Sequence, residues 1–208
     1  MPETLDSAAF AARLRQAAMH IQTRIDWLSQ LDSAIGDGDH GITMGRICDA
    51  ILATLAESPE ADLAALCGAV GWAVLSTDGG SASPLLGSFF MGCGDGLTTP
   101  GPLTTETLHH AFAAGLQNLR RQTSAKPGDK TLLDALVPAV AALRQAAETG
   151  ATIAAALRAA AAAAAAGAEA TRPLKAAFGR ARNLGERTVG HLDPGAASIA
   201  LFFEGLAQ

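Results

Sequence analysis

The stretch FAARLRQAAMHIQTRIDWLSQL, residues 10–31, decides the fold class of this chain. Its apolar residues recur at intervals of three, four and seven positions, at Phe10, Leu14, Ile21, Ile25 and Leu28. That spacing places them on one face of an amphipathic helix. The stretch therefore predicts a helix whose apolar face packs against other helices.

Seven further windows are typical of helices and run over residues 41–55, 59–75, 84–93, 105–123, 131–149, 152–170 and 195–206. Alternating β-branched strand patterns are missing, and the chain has no tyrosine. No linker divides the 208 residues, a length usual for one domain. We therefore expect an all-α bundle formed by a single domain, residues 1–208.

Three dipeptides combine a capping side chain with a proline, which suits the first helical position. They are Ser58-Pro59, Ser83-Pro84 and Asp193-Pro194. Each predicts the start of a helix.

Composition excludes several classes of protein. The net charge of -5 and the scattered arginines give no basic face for nucleic acid. The three cysteines form no C-x-x-C pair, which argues against a disulfide framework or a zinc site. No signal peptide and no window of about 18 uncharged apolar residues is present, so we expect a soluble, cytoplasmic protein with no membrane partner.

Residues 31–41, LDSAIGDGDHG, bring together Asp32, Asp37, Asp39 and His40 among glycines that allow sharp turns. Clustered carboxylates repel one another unless a cation neutralises them, and Mg²⁺ prefers such hard oxygen ligands. A D-G-D motif alone is more often a surface turn, but the added Asp32 and His40 favour a metal site. The spacing excludes a calcium loop of the EF-hand type.

Three other segments are candidates for holding an anion, although each is weak by itself. Residues 78–84, DGGSASP, lead directly into a helix. Residues 126–134, KPGDKTLLD, offer Lys130 as a phosphate partner. In residues 179–196, GRARNLGERTVGHLDPGA, Arg180 and Arg187 are candidate phosphate clamps, whereas His191 is more often a structural residue. The alternatives are capped loops and a solvated basic segment.

Taken in order, the motifs LDxxIGDGDHG, GGSASPLLGSFF, KPGDKTxxD and GRAxxLGERxxGHxDPGA resemble the DhaL family, over about residues 32–196. Members of this family are nucleotide-binding subunits, or fused domains, of dihydroxyacetone kinases. The resemblance implies a barrel of eight up-and-down helices with the nucleotide in the loops at one end.

The resemblance also implies site residues. Two Mg²⁺ ions would be held by Asp32, Asp37 and Asp39, and catalysis would rest on Arg180, Asp37 and Asp39. Contacts to ADP or ATP would come from the following positions: His40, Gly41, Ile42, Thr43, Ser81, Ala82, Thr123, Leu132, Arg180, Asp193, Pro194 and Gly195.

The implied partner is a separate K subunit that carries the ketose, and the implied reaction is phosphoryl transfer to dihydroxyacetone or a related short ketose. The donor stays open between exchanging ATP and a resident ADP recharged by a phosphohistidine protein of the phosphotransferase system, the M subunit. The ketose and the oligomeric state, including a homodimer, also stay open.

Two alternatives are a fatty-acid-kinase-like nucleotide domain, which carries threonine where His40 stands, and a nucleotide-sensing adaptor that transfers nothing. One departure from the family pattern is clear. Where the family commonly has KGRASY, this chain has FGRARN, with Phe178, Arg182 and Asn183 as the differing residues. This departure concerns the surface that would meet the K subunit and the choice of ketose.

Overall fold

Residues 4–57 and 62–208 are described by the computed structural model, and they form nine α-helices and one 3-10 segment. The helices are α1 (Ser7–Gln22), α2 (Ile25–Ile35), α3 (His40–Glu57), α4 (Leu63–Leu75), α5 (Ala82–Asp95), α6 (Thr105–Arg120), α7 (Leu133–Glu148), α8 (Ile153–Glu169) and α9 (Pro194–Leu206), and the 3-10 segment is Arg180–Thr188. Within these ranges β-pairing is limited to one antiparallel bridge between Leu5 and Leu103. The all-α prediction is confirmed.

Eight of the helices close into a ring. From α3 to α9 each helix packs against the next, α9 packs against α1, and α1 packs against α3. The remaining helix, α2, packs against α3, α9 and the 3-10 segment. The ring is the eight-helix barrel that the sequence resemblance implies.

Helix α9 closes the ring and is almost entirely buried. Eleven of its thirteen residues are buried, because it packs against α1, α7 and α8 at once. Phe203 has no exposed surface, and its ring centroid lies 5.8 Å from that of Phe112. Gly205 allows the close approach to α1, since a Cβ there would overlap the backbone of Ala17.

The helix predicted over residues 10–31 is broken into α1 and α2. The hydroxyl of Thr23 donates to the carbonyl of His20 at 2.7 Å, and the amide of Arg24 donates to the carbonyl of Ile21 at 2.9 Å. These bonds form a tight turn in place of the helical pattern, since a threonine hydroxyl competes for backbone acceptors. Helix α2 therefore begins anew and places Asp32 at its own carboxyl end.

The predicted helix starts have different outcomes. Asp193 caps α9 as expected, since its carboxylate accepts the amide of Ala196 at 2.7 Å. At Ser83-Pro84 the prediction is wrong, because α5 already begins at Ala82. The carbonyl of Gly79 accepts the amides of Ala82 and Ser83, so the helical turn starts earlier. The pair Ser58-Pro59 lies outside the described residues.

None of the helices in the described ranges is both long and apolar enough to cross a membrane.

Candidate functional site

A cleft of about 330 Å³ lies where four connections between helices meet. Residues 36–39, 76–81, 121–132 and 170–193 form these connections and precede α3, α5, α7 and α9. The cleft is lined by thirteen of the fifteen site residues that the sequence resemblance implies: Asp32, Asp37, Asp39, His40, Thr43, Ser81, Ala82, Thr123, Leu132, Arg180, Asp193, Pro194 and Gly195. Lys130 and Phe178, which the sequence also singled out, line it as well.

Two of the predicted contacts, Gly41 and Ile42, are not among the lining residues. Gly41 is buried in the first turn of α3, where a Cβ would overlap the backbone of α2 at Ile25. Ile42 is 54% exposed. Gly41 thus serves the close packing of α2 on α3, which fixes the position of the neighbouring aspartates.

Asp32, Asp37 and Asp39 form one acidic cluster. A ligand atom from each lies within 4.8 Å of those of the others. The turn between them depends on Gly38, whose φ of 80° favours glycine. Three convergent carboxylates are hard oxygen donors and fit Mg²⁺ better than softer metals.

Arg180 faces this cluster from the other end of the chain. Its Nη1 atom pairs with Asp37 and lies 3.2 Å from the carboxylate of Asp39. The guanidinium offsets part of the repulsion between the carboxylates. Because the Arg180 side chain is 63% exposed, the pairing contributes little to stability, and the guanidinium can change partners.

The imidazole of His40 is held from the opposite side by α9. Its Nε2 atom lies 2.7 Å from the hydroxyl of Ser198, which itself donates to the carbonyl of Pro194 at 3.0 Å. Burial lowers the pKa of His40, although the nearby Asp32 carboxylate opposes this. The lowered pKa favours the neutral imidazole, which acts as a hydrogen-bonding group.

The amino ends of four helices meet at the cleft. The first residues of α3, α5, α7 and α9 all line it. Helices α1, α4, α6 and α8 each begin with a side chain that caps a backbone amide, and at α7 the hydroxyl of Thr131 accepts the amide of Leu133 at 3.3 Å, whereas α5 begins without such a bond. The cleft thus receives several positive helix-dipole ends, of which that of α5 lacks a side-chain cap, an arrangement suited to an anion.

Asp193 is a buried carboxyl group with an unusual pKa. Burial raises its pKa to about 7, and the amide of Ala196 and the ammonium of Lys130 act in the opposite direction. Its carboxylate remains bonded to the first turn of α9. Asp193 therefore fixes the position of Pro194 and Gly195 at the cleft.

Lys130 does not have the free ammonium group expected of a phosphate partner. It is 2% exposed, and its Nζ atom donates to the carbonyl of Thr171 at 2.7 Å and to that of His191. Its φ of 60° is rare for a residue with a side chain. Lys130 thus anchors the connection before α9, and His191 contributes a backbone carbonyl. Arg187, the second expected clamp, is exposed and does not line the cleft.

Apolar side chains also line the cleft, and motif analysis assigned them no site role because apolar residues carry no chemical signature. They are Ile35, Leu85, Leu119, Ala125, Leu133 and Phe178. Ile35 and Leu85 stand within the quoted motifs, and Phe178 is a departure from the family pattern. A second missed residue is Asp134, whose carboxylate accepts the amides of Gly128 and Thr131 and shapes the loop before α7.

Comparisons with known proteins agree with this geometry. The family model described as the DAK2 domain matches residues 34–208. The chain is 37% identical over 185 residues to the Escherichia coli (strain K12) protein named PEP-dependent dihydroxyacetone kinase, ADP-binding subunit DhaL, covering 89% of this chain and 88% of that one. It is 38% identical over 198 residues to the ADP-binding subunit DhaL of PEP-dependent dihydroxyacetone kinase 2 from Listeria innocua, covering 93% and 90%.

A solved structure is also similar. It is the dihydroxyacetone kinase of C. freundii in complex with AMP-PNP and Mg²⁺, with a TM-score of 0.75 and 29% identity. The similarity covers 100% of this chain and 35% of that one, so the chain spans about a third of that kinase.

Proposed function

This chain belongs to the DAK2 domain family, and we propose that it is the nucleotide-binding, phosphoryl-transferring subunit of a dihydroxyacetone-type kinase. The observation that carries the proposal is the meeting of Arg180 with Asp37 and Asp39 in one cleft. The names of the E. coli and Listeria relatives, ADP-binding subunits of dihydroxyacetone kinases, support it. They favour this function over a fatty-acid-kinase-like domain or a non-catalytic adaptor.

Asp32, Asp37 and Asp39 are the residues that would hold Mg²⁺, and we propose two ions. When bound, Mg²⁺ supplies positive charge that neutralises the phosphates and the developing charge on the transferred group. The complex of the C. freundii kinase with AMP-PNP and Mg²⁺ supports this choice of metal. The donor set of this chain is compatible with it, since all three ligands are carboxylates.

The protein contributes position and charge. Arg180 would leave the carboxylates and stabilise the phosphoryl oxygens with its planar, permanently charged fork. The glycine-rich turn before α5, whose amino end no side chain caps, would donate backbone amides to phosphate oxygens. Phosphoryl transfer depends mainly on such positioning and electrostatic stabilisation.

Each polar residue at the start of α3 and α9 has a role in this scheme. His40 and Thr43, at the start of α3, would contact the phosphates or the other groups that coordinate the Mg²⁺ ions. Asp193 would hold the first turn of α9 close to the phosphates. Gly41 and Ile42 would act through their backbone in the first turn of α3. Thr123 and Leu132 would contact the remainder of the nucleotide.

We further propose that the ketose lies on a separate K subunit and that ADP stays bound and is recharged by a phosphohistidine protein. The word PEP-dependent in the names of the E. coli and Listeria relatives supports this donor. Arg180 is 63% exposed, which leaves the reacting end of the cleft accessible to another protein.

The proposal is tested by first stripping the purified chain of resident nucleotide with EDTA and then titrating it calorimetrically with ADP, with and without Mg²⁺. We expect binding that requires Mg²⁺ and is lost in Asp37→Ala. Asp95→Ala is the matched control, because Asp95 is an exposed carboxylate at the end of α5 remote from the cleft lining. Equal binding of ADP by Asp37→Ala would show that the metal site is wrongly assigned.

A further inference from the structure

Phe178 differs from every other phenylalanine of the chain. The sequence has seven, and the other six are buried, at 0–8% exposure. Five of those six contact other aromatic rings in the core. Phe178 is half-buried, has no aromatic partner among the described residues and lines the cleft. Its ring therefore keeps a surface that the core does not use.

The segment that carries Phe178 is fixed by hydrogen bonds. The amide of Ala177 donates to the carbonyl of Asp129 at 3.1 Å, and the amide of Ala176 donates to the hydroxyl of Thr188 at 3.0 Å. The first bond ties the segment to the connection between α6 and α7. That connection also supplies Thr123 and Ala125 to the cleft. Phe178 is thus held in the cleft next to a segment tied to the connection that supplies Thr123 and Ala125.

On its other side, Phe178 is two residues from Arg180, which pairs with the carboxylates. Gly179 lies between them with a φ of 66°, a conformation that favours glycine. The cleft therefore has acidic side chains that suit metal and phosphate and apolar side chains that suit an uncharged ring. Phe178 is one of the apolar lining residues and is close in sequence to Arg180.

Among the described residues that line the cleft, Phe178 alone has a carbocyclic aromatic ring. The chain has no tyrosine, and neither Trp27 nor Trp72 lines the cleft. The imidazole of His40 is bonded to Ser198. An aromatic contact to a ligand in this cleft must therefore come mainly from Phe178.

We propose that Phe178 stacks on the nucleobase of the bound nucleotide and is a residue that determines preference for a nucleotide over a bare polyphosphate. This inference rests on the proposed function, because it assumes that a nucleotide occupies the cleft. Stacking of a base on an aromatic side chain does not depend on specific hydrogen bonds to the base. Removing the aromatic ring weakens binding measurably. Stacking would also explain in physical terms why this chain has a phenylalanine at a position where the family commonly has lysine.

The test uses protein stripped of resident nucleotide with EDTA and compares its binding of Mg·ADP and Mg·pyrophosphate, since the second lacks a base. We expect Phe178→Ala to weaken Mg·ADP on the order of ten-fold and to leave Mg·pyrophosphate unchanged, given the usual strength of base–aromatic stacking. Phe178→Leu, which keeps apolar bulk but removes the ring, should weaken Mg·ADP in the same direction. Arg182→Ala is the matched control, because Arg182 is exposed on the same segment and does not line the cleft.

Unchanged affinity of Phe178→Ala for Mg·ADP would overturn the inference and leave the proposed function intact. Equal weakening of both ligands would also overturn it, because the effect would then not concern the base. Failure of the wild-type chain to bind either ligand would instead refute the proposed function. A second variant gives a readout other than affinity. In Phe178→Trp, ADP should quench the fluorescence of the added indole, whereas pyrophosphate should not.

Discussion

The guanidinium of Arg180 donates a hydrogen bond to the carboxylate of Asp39 at 3.2 Å, although the two residues are 141 positions apart. This contact joins the segment before α9 to the loop before α3. It places the candidate phosphate clamp and the candidate metal ligands at one point of the barrel end.

Arg180→Ala should separate catalysis from metal binding. We expect phosphoryl transfer to fall about 10²- to 10³-fold, because a positioned donor to the developing charge is lost. Binding of Mg²⁺ without nucleotide should tighten, because the substitution removes the guanidinium that competes with Mg²⁺ for the carboxylates of Asp37 and Asp39. Transfer assays and Mg²⁺ titrations measure the two effects. Weaker Mg²⁺ binding would contradict this interpretation, and Arg158→Ala, at an exposed arginine of α8 that does not line the cleft, serves as the control.

Asp193 should make stability depend on pH. Burial raises its pKa to about 7 from an ordinary value of 3.8, so the folded protein retains a proton that the unfolded chain releases. The contribution of protonated Asp193 to the free energy of unfolding is fully present below about pH 4 and is lost as the pH rises through about 7. Thermal unfolding between these values in EDTA measures the loss.

Asp193→Asn is the matched variant for that measurement. Asparagine is an equally good helix cap, so the amide of Ala196 keeps an acceptor while the titration disappears. We expect the melting temperature of the variant to change less across this pH range than that of the wild type. Identical pH profiles would show that Asp193 does not titrate there.

The three cysteines should be unreactive in the folded protein. Burial raises the pKa values of Cys48 and Cys67 to about 12 and that of Cys93 well above its usual range. Because the thiolate is the reacting species, we expect negligible labelling by a thiol reagent at pH 8 and three labelled thiols after denaturation. Rapid labelling of one thiol in the native protein would place that cysteine outside the core.

Phe203→Ala should destabilise the barrel by about 3–5 kcal/mol, because a fully buried ring in the closing helix is replaced by a cavity. Chemical denaturation measures the change in the free energy of unfolding. Trp72→Ala is the control: Trp72 is 67% exposed, and its removal should change stability by no more than about 0.5 kcal/mol. A similar loss in both variants would mean that α9 does not close the core as described.

Much of the fold follows from local patterns. Hydrophobic periodicity predicted the helices, and Asp193-Pro194 marked the start of α9, since both depend on residues close in the sequence. The break at Thr23 was missed because the apolar spacing continues through it, and the turn depends on a side-chain bond to His20. At Ser83-Pro84 the competing turn at Gly79 began the helix earlier.

The candidate site was predicted less completely than the fold. Acidic and glycine-rich motifs indicated the aspartates, but no local pattern shows that Arg180 reaches them and Arg187 does not. Lys130 was expected to be free because a lysine in a loop usually is, whereas its ammonium bonds two backbone carbonyls from the distant connection before α9. Such pairings depend on closure of the barrel.

The most direct test of the kinase assignment is the nucleotide content of the chain purified in Mg²⁺ buffer. The protein is denatured and any released nucleotide is identified by chromatography, with an EDTA-washed sample and Asp37→Ala in parallel. We expect stoichiometric ADP in the Mg²⁺ sample and its loss in both others, since the carboxylates would hold it through the metal. An empty protein that binds added ATP reversibly would instead favour direct use of ATP. A chain that neither retains nor binds any adenine nucleotide in Mg²⁺ would contradict the assignment as a kinase subunit.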